Sequence, residues 1–214
     1  MKVNTLWATF TLLLLLAVPQ APATGQPFTL MVLGDSLSIG YGLEPGQSWP
    51  EQLQRLLAEE GTVVRLVNAS VSGDTMDDGR ARLDWTLAEN PNLCVVALGG
   101  NDGLRMLDTD RMQASLDAIL TTLDQREIPI IVAGMLPPPN FGPDYSDRFR
   151  AVFPRMAEAH GARLVPFLLE GVAGHPELNL PDGIHPTAAG AKVVAERLLP
   201  MIRDAVNTVA QNIR

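Results

Sequence analysis

Five short, mostly apolar runs, at residues 28–33, 63–68, 93–98, 128–135 and 163–167, recur along the chain, and longer segments with helical spacing lie between and after them. The runs show little polar alternation, which is the pattern of strands covered on both faces. The segments at 49–60, 75–88, 112–126, 145–160 and 187–206 carry apolar residues three and four apart, as in Leu53, Leu56 and Leu57 or Met112, Leu116, Ile119, Leu120 and Leu123. Parallel strands need long crossovers, and helices supply them. The expected architecture is therefore α/β: a three-layer α/β/α sandwich around a five-stranded parallel sheet. With no repeat or linker, and 46% hydrophobic residues, residues 24–214 are expected to form one domain. The Pro-rich island at 137–143 follows the fourth run and is expected to be a loop.

The first residues follow a different grammar. Lys2 precedes an apolar stretch at 6–18, and Pro19-Gln20-Ala21-Pro22-Ala23 then offers small residues in an A-x-A-like arrangement. This is the pattern of a secretory signal peptide over residues 1–23. A membrane anchor is the competing assignment, but the stretch is shorter than the roughly 18–20 residues that cross a bilayer as a helix. Cleavage after Ala23 would remove Lys2 and no acid, moving the formal charge from −8 to −9. So acidic a body excludes nucleic acid and anionic membrane as main partners, since both need a basic footprint. The expected location is periplasmic or secreted, without stable membrane insertion after cleavage. The single cysteine, Cys94, cannot form an intrachain disulfide and lies in an apolar run, where a buried hydrophobe is expected rather than a reactive thiol.

An open parallel sheet binds ligands beyond the carboxyl ends of its strands. The first run ends at Gly34-Asp35-Ser36, the second at Asn68-Ala69-Ser70-Val71-Ser72-Gly73-Asp74-Thr75, and the third at Gly99-Gly100-Asn101-Asp102. These exits should form one polar rim. A serine there needs a base to become a nucleophile, and histidine is the usual one. Of three histidines, His160 ends a helical segment beside Gly161, and His175 has only Glu177 near it in sequence. His185 stands three residues after Asp182, where a carboxylate can fix its tautomer and stabilise its cation. Asp182-Gly183 is also ordinary turn chemistry, and His185-Pro186 an ordinary helix lead-in. Donors for a developing oxyanion could come from the Ser36 N–H, the Gly73 N–H and the Asn101 side chain. Gly73 could equally serve a positive-φ turn, and Asn101 a helix cap.

Four ordered blocks, Gly34-Asp35-Ser36-Leu37-Ser38, residues 68–75, Gly99-Gly100-Asn101-Asp102 and Asp182-Gly183-Ile184-His185-Pro186, resemble the SGNH (GDSL) hydrolases over about residues 28–205. Gly99-Gly100-Asn101-Asp102-Gly103-Leu104-Arg105 is most similar to the bacterial periplasmic thioesterase I/protease I/lysophospholipase L1 group and related arylesterases. The resemblance implies a flavodoxin-like fold and no metal or organic cofactor. It makes Ser36 the nucleophile, His185 and Asp182 its partners, and Gly73 and Asn101 co-donors with the Ser36 N–H. It implies a serine esterase acting on a small acyl ester or thioester: an aryl ester, acyl-CoA or lysophospholipid. The stretch after Asn101 resembles a loop that packs on bound acyl chains, which places Leu104, Met106 and Leu107 on the substrate. Leu136 would stand on the opposite wall, and Asp35 and Asp102 would also contribute to substrate binding. Two other classes compete: a metal-dependent phosphoesterase built on Asp35, Asp74, Asp102, Asp182 and His185, and a non-catalytic lipid or carbohydrate binder.

Overall fold

The computed structural model describes residues 27–212. The expected leader at 1–23 lies outside them. Five parallel strands, β1 (Phe28–Gly34), β2 (Val64–Asn68), β3 (Leu93–Ala97), β4 (Ile130–Ala133) and β5 (Arg163–Val165), form one sheet in the order β2-β1-β3-β4-β5. This is the flavodoxin-like doubly wound order. The central strands β3 and β4 are buried throughout, and the edge strands β2 and β5 are half-exposed. Gly34 pairs with Ala97 across β1 and β3, so the two strands end level and their loops emerge side by side.

Among the described residues, eight helices accompany the sheet: α1 (Ser36–Ile39), α2 (Trp49–Glu59), α3 (Met76–Ala81), α4 (Leu83–Thr86), α5 (Gly100–Leu104), α6 (Thr109–Gln125), α7 (Pro143–Ala159) and α8 (Ala188–Asn212). Helices α2 and α8 pack together against one side of the sheet, whereas α3, α6 and α7 form a second packed group. Trp49 opens α2, is wholly buried, and donates its indole N–H to Ser38 Oγ at 3.2 Å, which anchors the short α1. Cys94 is buried in β3, and desolvation pushes its thiol up to about 12, as suits an inert core residue.

The elements depart from the sequence pattern where side chains or prolines intervene. The single helix expected over 75–88 breaks at Arg82, whose backbone (φ −105°, ψ 4°) leaves the helical region. Helix α6 starts at Thr109, not 112, because the Asp108 carboxylate accepts from the N–H groups of Asp110 and Arg111. Strand β5 stops at Val165 because Pro166 has no N–H to pair. Pro200 falls inside α8, which runs on to Asn212.

Candidate active site

Asp35 ends the extended backbone of β1 and N-caps α1, its Oδ1 accepting from Leu37 N–H at 3.0 Å. Ser36 is therefore the first helical residue, and the turn aims its hydroxyl off the carboxyl edge of the sheet. The hydroxyl meets His185 Nε2 at 2.9 Å, and His185 Nδ1 meets Asp182 Oδ2 at 2.7 Å. With the carboxylate accepting at Nδ1, Nε2 is left to accept from the serine. Asp182 Oδ1 also accepts from the backbone N–H groups of Ile184 (2.9 Å) and His185 (3.0 Å). These backbone bonds, with the His185 contacts, hold the Asp182 carboxyl down at about 2. The Tyr41 ring packs on the imidazole, centroids 4.5 Å apart and planes 36° apart, a contact the sequence did not announce.

The loop carrying His185 is closed on itself. Asn179 and Pro186 form an antiparallel bridge, and Leu180 N–H donates to the His185 carbonyl at 2.7 Å. The other two histidines lie elsewhere: His160 caps α7 and bridges Asp117 and Asp124 of α6, while His175 is exposed beside Glu177.

Donors gather on the neighbouring exits. Among the described residues, the Ser36 and Gly73 N–H groups have no internal acceptor. Gly73 has a φ of 89°, a left-handed conformation that glycine adopts without strain. Asn101 stands in the first turn of α5 and donates from Nδ2 to the Asp74 carbonyl at 3.0 Å, which leaves its second amide hydrogen free. Arg105, one turn further on, donates to the Gly73 carbonyl at 2.8 Å, so the β2 and β3 exits are fastened together.

Ser36 and Asn101 open onto a cavity of about 530 Å³. Its walls include Leu104, Leu136, Pro137, Phe167, Leu169 and Ile184, and among the described residues no lysine or arginine lines it. Asp35, Leu104 and Leu136 face it. Asp102, Met106 and Leu107, also expected on the substrate, lie outside it. In the one-turn helix α5, Gly100 and Leu104 share the cavity face, while Asp102, two residues from each, points the opposite way. Its carboxylate accepts from Met76 N–H at 2.9 Å, at the start of α3, and burial raises its pKa. Met106 is 52% exposed with a φ of 51°, and Leu107 lines a separate cavity of about 310 Å³ with α3 and α6 residues. The walls supplied by Phe167 and Leu169 were missed, although both lie just past the end of β5, where the strand-exit rule points.

The carboxylates of the imagined metal shell are parted among separate partners. Asp35 caps α1, Asp74 binds Arg82, Asp102 accepts from the Met76 N–H and Asp182 holds His185. Among the described residues, no three His, Cys, Asp or Glu side chains gather to hold a metal ion. Nor does any described helix have the length and apolarity to cross a membrane.

A hydroxyl bonded to an imidazole that a carboxylate steadies, at the carboxyl edge of an open parallel sheet, defines a serine hydrolase. The family is equally definite: the chain belongs to the GDSL-like lipase/acylhydrolase family, whose model matches residues 32–193. It is 41% identical to the esterase TesA of Pseudomonas aeruginosa over 193 residues, covering 90% of this chain and 94% of the relative. It is 34% identical over 180 residues to thioesterase 1/protease 1/lysophospholipase L1 of Escherichia coli K12, covering 84% and 85%. Among solved structures, the psychrotrophic esterase EstA from Pseudoalteromonas superposes with a TM-score of 0.79 at 32% identity, over 84% of this chain and 98% of that one. Ester hydrolysis by a serine enzyme is accordingly its chemistry.

Proposed function

We propose that this chain is an exported acyl-ester and thioester hydrolase in which Ser36 carries the acyl group. The observation that carries the assignment is the continuous relay of 2.9 Å and 2.7 Å from Ser36 through His185 to Asp182. Ser36 Oγ attacks the carbonyl carbon while its proton passes to His185 Nε2. Negative charge on the former carbonyl oxygen is met by the N–H groups of Ser36 and Gly73 and by the free Asn101 amide hydrogen. As the tetrahedral species collapses, His185 returns the proton to the departing alkoxide or thiolate, leaving an acyl-serine. A water then gives its proton to His185, attacks the acyl carbon and frees the acid and the Ser36 hydroxyl.

The apolar walls suit an acyl chain, and a volume of about 530 Å³ falls in the usual range for a small-molecule site. The absence of cations from the lining leaves the leaving group to be tolerated rather than recognised, which is consistent with aryl, thiol and lysophospholipid leaving groups alike. Residues 1–23 would be the leader, residues 24–214 the single mature domain, and the compartment periplasmic or extracellular.

The test is a series of p-nitrophenyl esters of rising chain length. Each buried methylene contributes about 0.8 kcal/mol, so kcat/KM should climb about threefold to fourfold per methylene until the cavity is filled, then level or fall. Ser36→Ala should lose at least about 10⁴-fold in kcat with the fold retained. A flat chain-length profile would remove the cavity from the acyl site, and activity surviving in Ser36→Ala would remove Ser36 as nucleophile.

A further inference from the structure

The break in the helix at Arg82 has a purpose that reaches back to the site. Arg82 is largely buried, its side chain 19% exposed, and it takes no part in lining the cavity. Its three guanidinium nitrogens bind three different segments. Nε donates to Asp74 Oδ2 at 2.6 Å, Nη1 to the Ala69 carbonyl at 2.5 Å and Nη2 to the Gly34 carbonyl at 3.1 Å. Gly34 is the last residue of β1, two positions before Ser36. Ala69 directly follows β2, and Asp74 directly follows Gly73.

The third donor is attached to the same cluster. The Asp74 carbonyl accepts from Asn101 Nδ2 at 3.0 Å, so the exit of β3 joins those of β1 and β2. The exits are also stitched without Arg82, since Val71 N–H donates to the Gly34 carbonyl at 3.1 Å. That stitch continues to the Asp74 backbone, whose N–H donates to the Val71 carbonyl at 3.2 Å, but it leaves the Asp74 carboxylate unheld, and that carboxylate is what Arg82 binds. Taking a guanidinium out of water is costly unless nearly all of its hydrogen-bonding directions are met, and here the planar fork meets an acceptor in each of three directions. A lysine ammonium could bind Asp74 but could not span all three acceptors.

We propose that Arg82 is a positioning residue for the reaction, holding the segments that bear the Ser36, Gly73 and Asn101 donors in one geometry. The inference rests on the proposed function, because it gives meaning to the donors' geometry. Arg82 acts behind the hole, through the carbonyls and carboxylate it binds, and touches neither substrate nor hydroxyl. Its loss should therefore fall on the transition state rather than on the ground state.

The experiment measures steady-state hydrolysis of a p-nitrophenyl ester by purified Arg82→Gln and Arg82→Lys, each alone and combined with Asn101→Ala. Circular dichroism and melting confirm that each variant is folded. The single variants should lose about 10-fold to 100-fold in kcat with KM within about threefold of the parent. With Asn101→Ala, the combined loss should be at least about tenfold smaller than the product of the single losses, because both changes damage one device. Should Arg82→Gln fail to fold, Arg82→Lys, which keeps the ion pair with Asp74, decides the matter. Single variants within twofold of the parent kcat, a loss lying wholly in KM, or losses that multiply in full would each overturn the inference. Asn101→Ala and Ser36→Ala alone report on the proposed function, so a normal Arg82 variant beside a crippled Asn101→Ala leaves that function standing and removes only the role of Arg82.

Discussion

The two halves of the site are built by opposite means. The base half is local: Asp182 holds Ile184, the His185 backbone and the His185 ring from two and three residues away, in a loop closed by its own bridge. The donor half is assembled from afar, through bonds such as Asn101 to Asp74 and Arg82 to Gly34 that span 27 and 48 positions. Their carboxylates titrate in opposite senses. Asp182, 37% exposed and rich in hydrogen bonds, is held down at about 2, whereas burial pushes Asp35, 1% exposed, up to about 6. A base can thus be oriented by four neighbouring residues, but a hole for an oxyanion requires the finished sheet.

This contrast can be broken first at the base. Asp182→Ala removes the carboxylate that holds the His185 ring and its backbone N–H, and kcat should fall by about 10³–10⁴. Because Asp182 stays ionised down to about pH 2, acidification of the parent through pH 5 should not reproduce that loss through Asp182. A drop below tenfold in the variant, measured at saturating ester, would mean that the Tyr41 packing alone suffices to hold the ring. In the donor half, Asn101→Ala should lower kcat by about 10²–10³, the cost of one oxyanion donor. An unchanged rate would leave only the two backbone N–H groups in the hole.

The smallest expected effect is on stability and sharpens the electrostatic half of the comparison. Asp35 binds its proton more tightly folded than unfolded, so between about pH 4 and 6 folding takes up a proton, and stability falls as pH rises through that window. Asp35→Asn keeps an N-cap for Leu37 and should flatten this dependence, gaining up to about 2–3 kcal/mol at pH 7. Urea melts of both proteins at pH 4 and pH 7 measure it, and parallel pH dependences would show that Asp35 is not the group responsible.

What the sequence disclosed follows the same division. The strands were legible because β3 and β4, and β1 apart from its first residue, are buried on both faces and carry mostly apolar runs. The pair Asp182 and His185 was legible because three residues separate them. Arg82 was not, since an arginine within a helical pattern looks like a solvated face until Gly34 and Ala69 are folded beside it. The position of Asp102 was not legible because, in a one-turn helix, residues two places from Gly100 and Leu104 turn away from the cavity those two line. The apolar walls Phe167 and Leu169 were passed over because they continue a strand that Pro166 had already ended.

The hydroxyl and the imidazole that activates it lie 149 positions apart, one at the end of the first strand and the other just ahead of the last helix. A ribosome delivering this polypeptide makes the reactive oxygen early and the group that awakens it almost last. On the proposed mechanism, partial chains are therefore inert toward esters, and catalysis begins only when the C-terminal segment has docked.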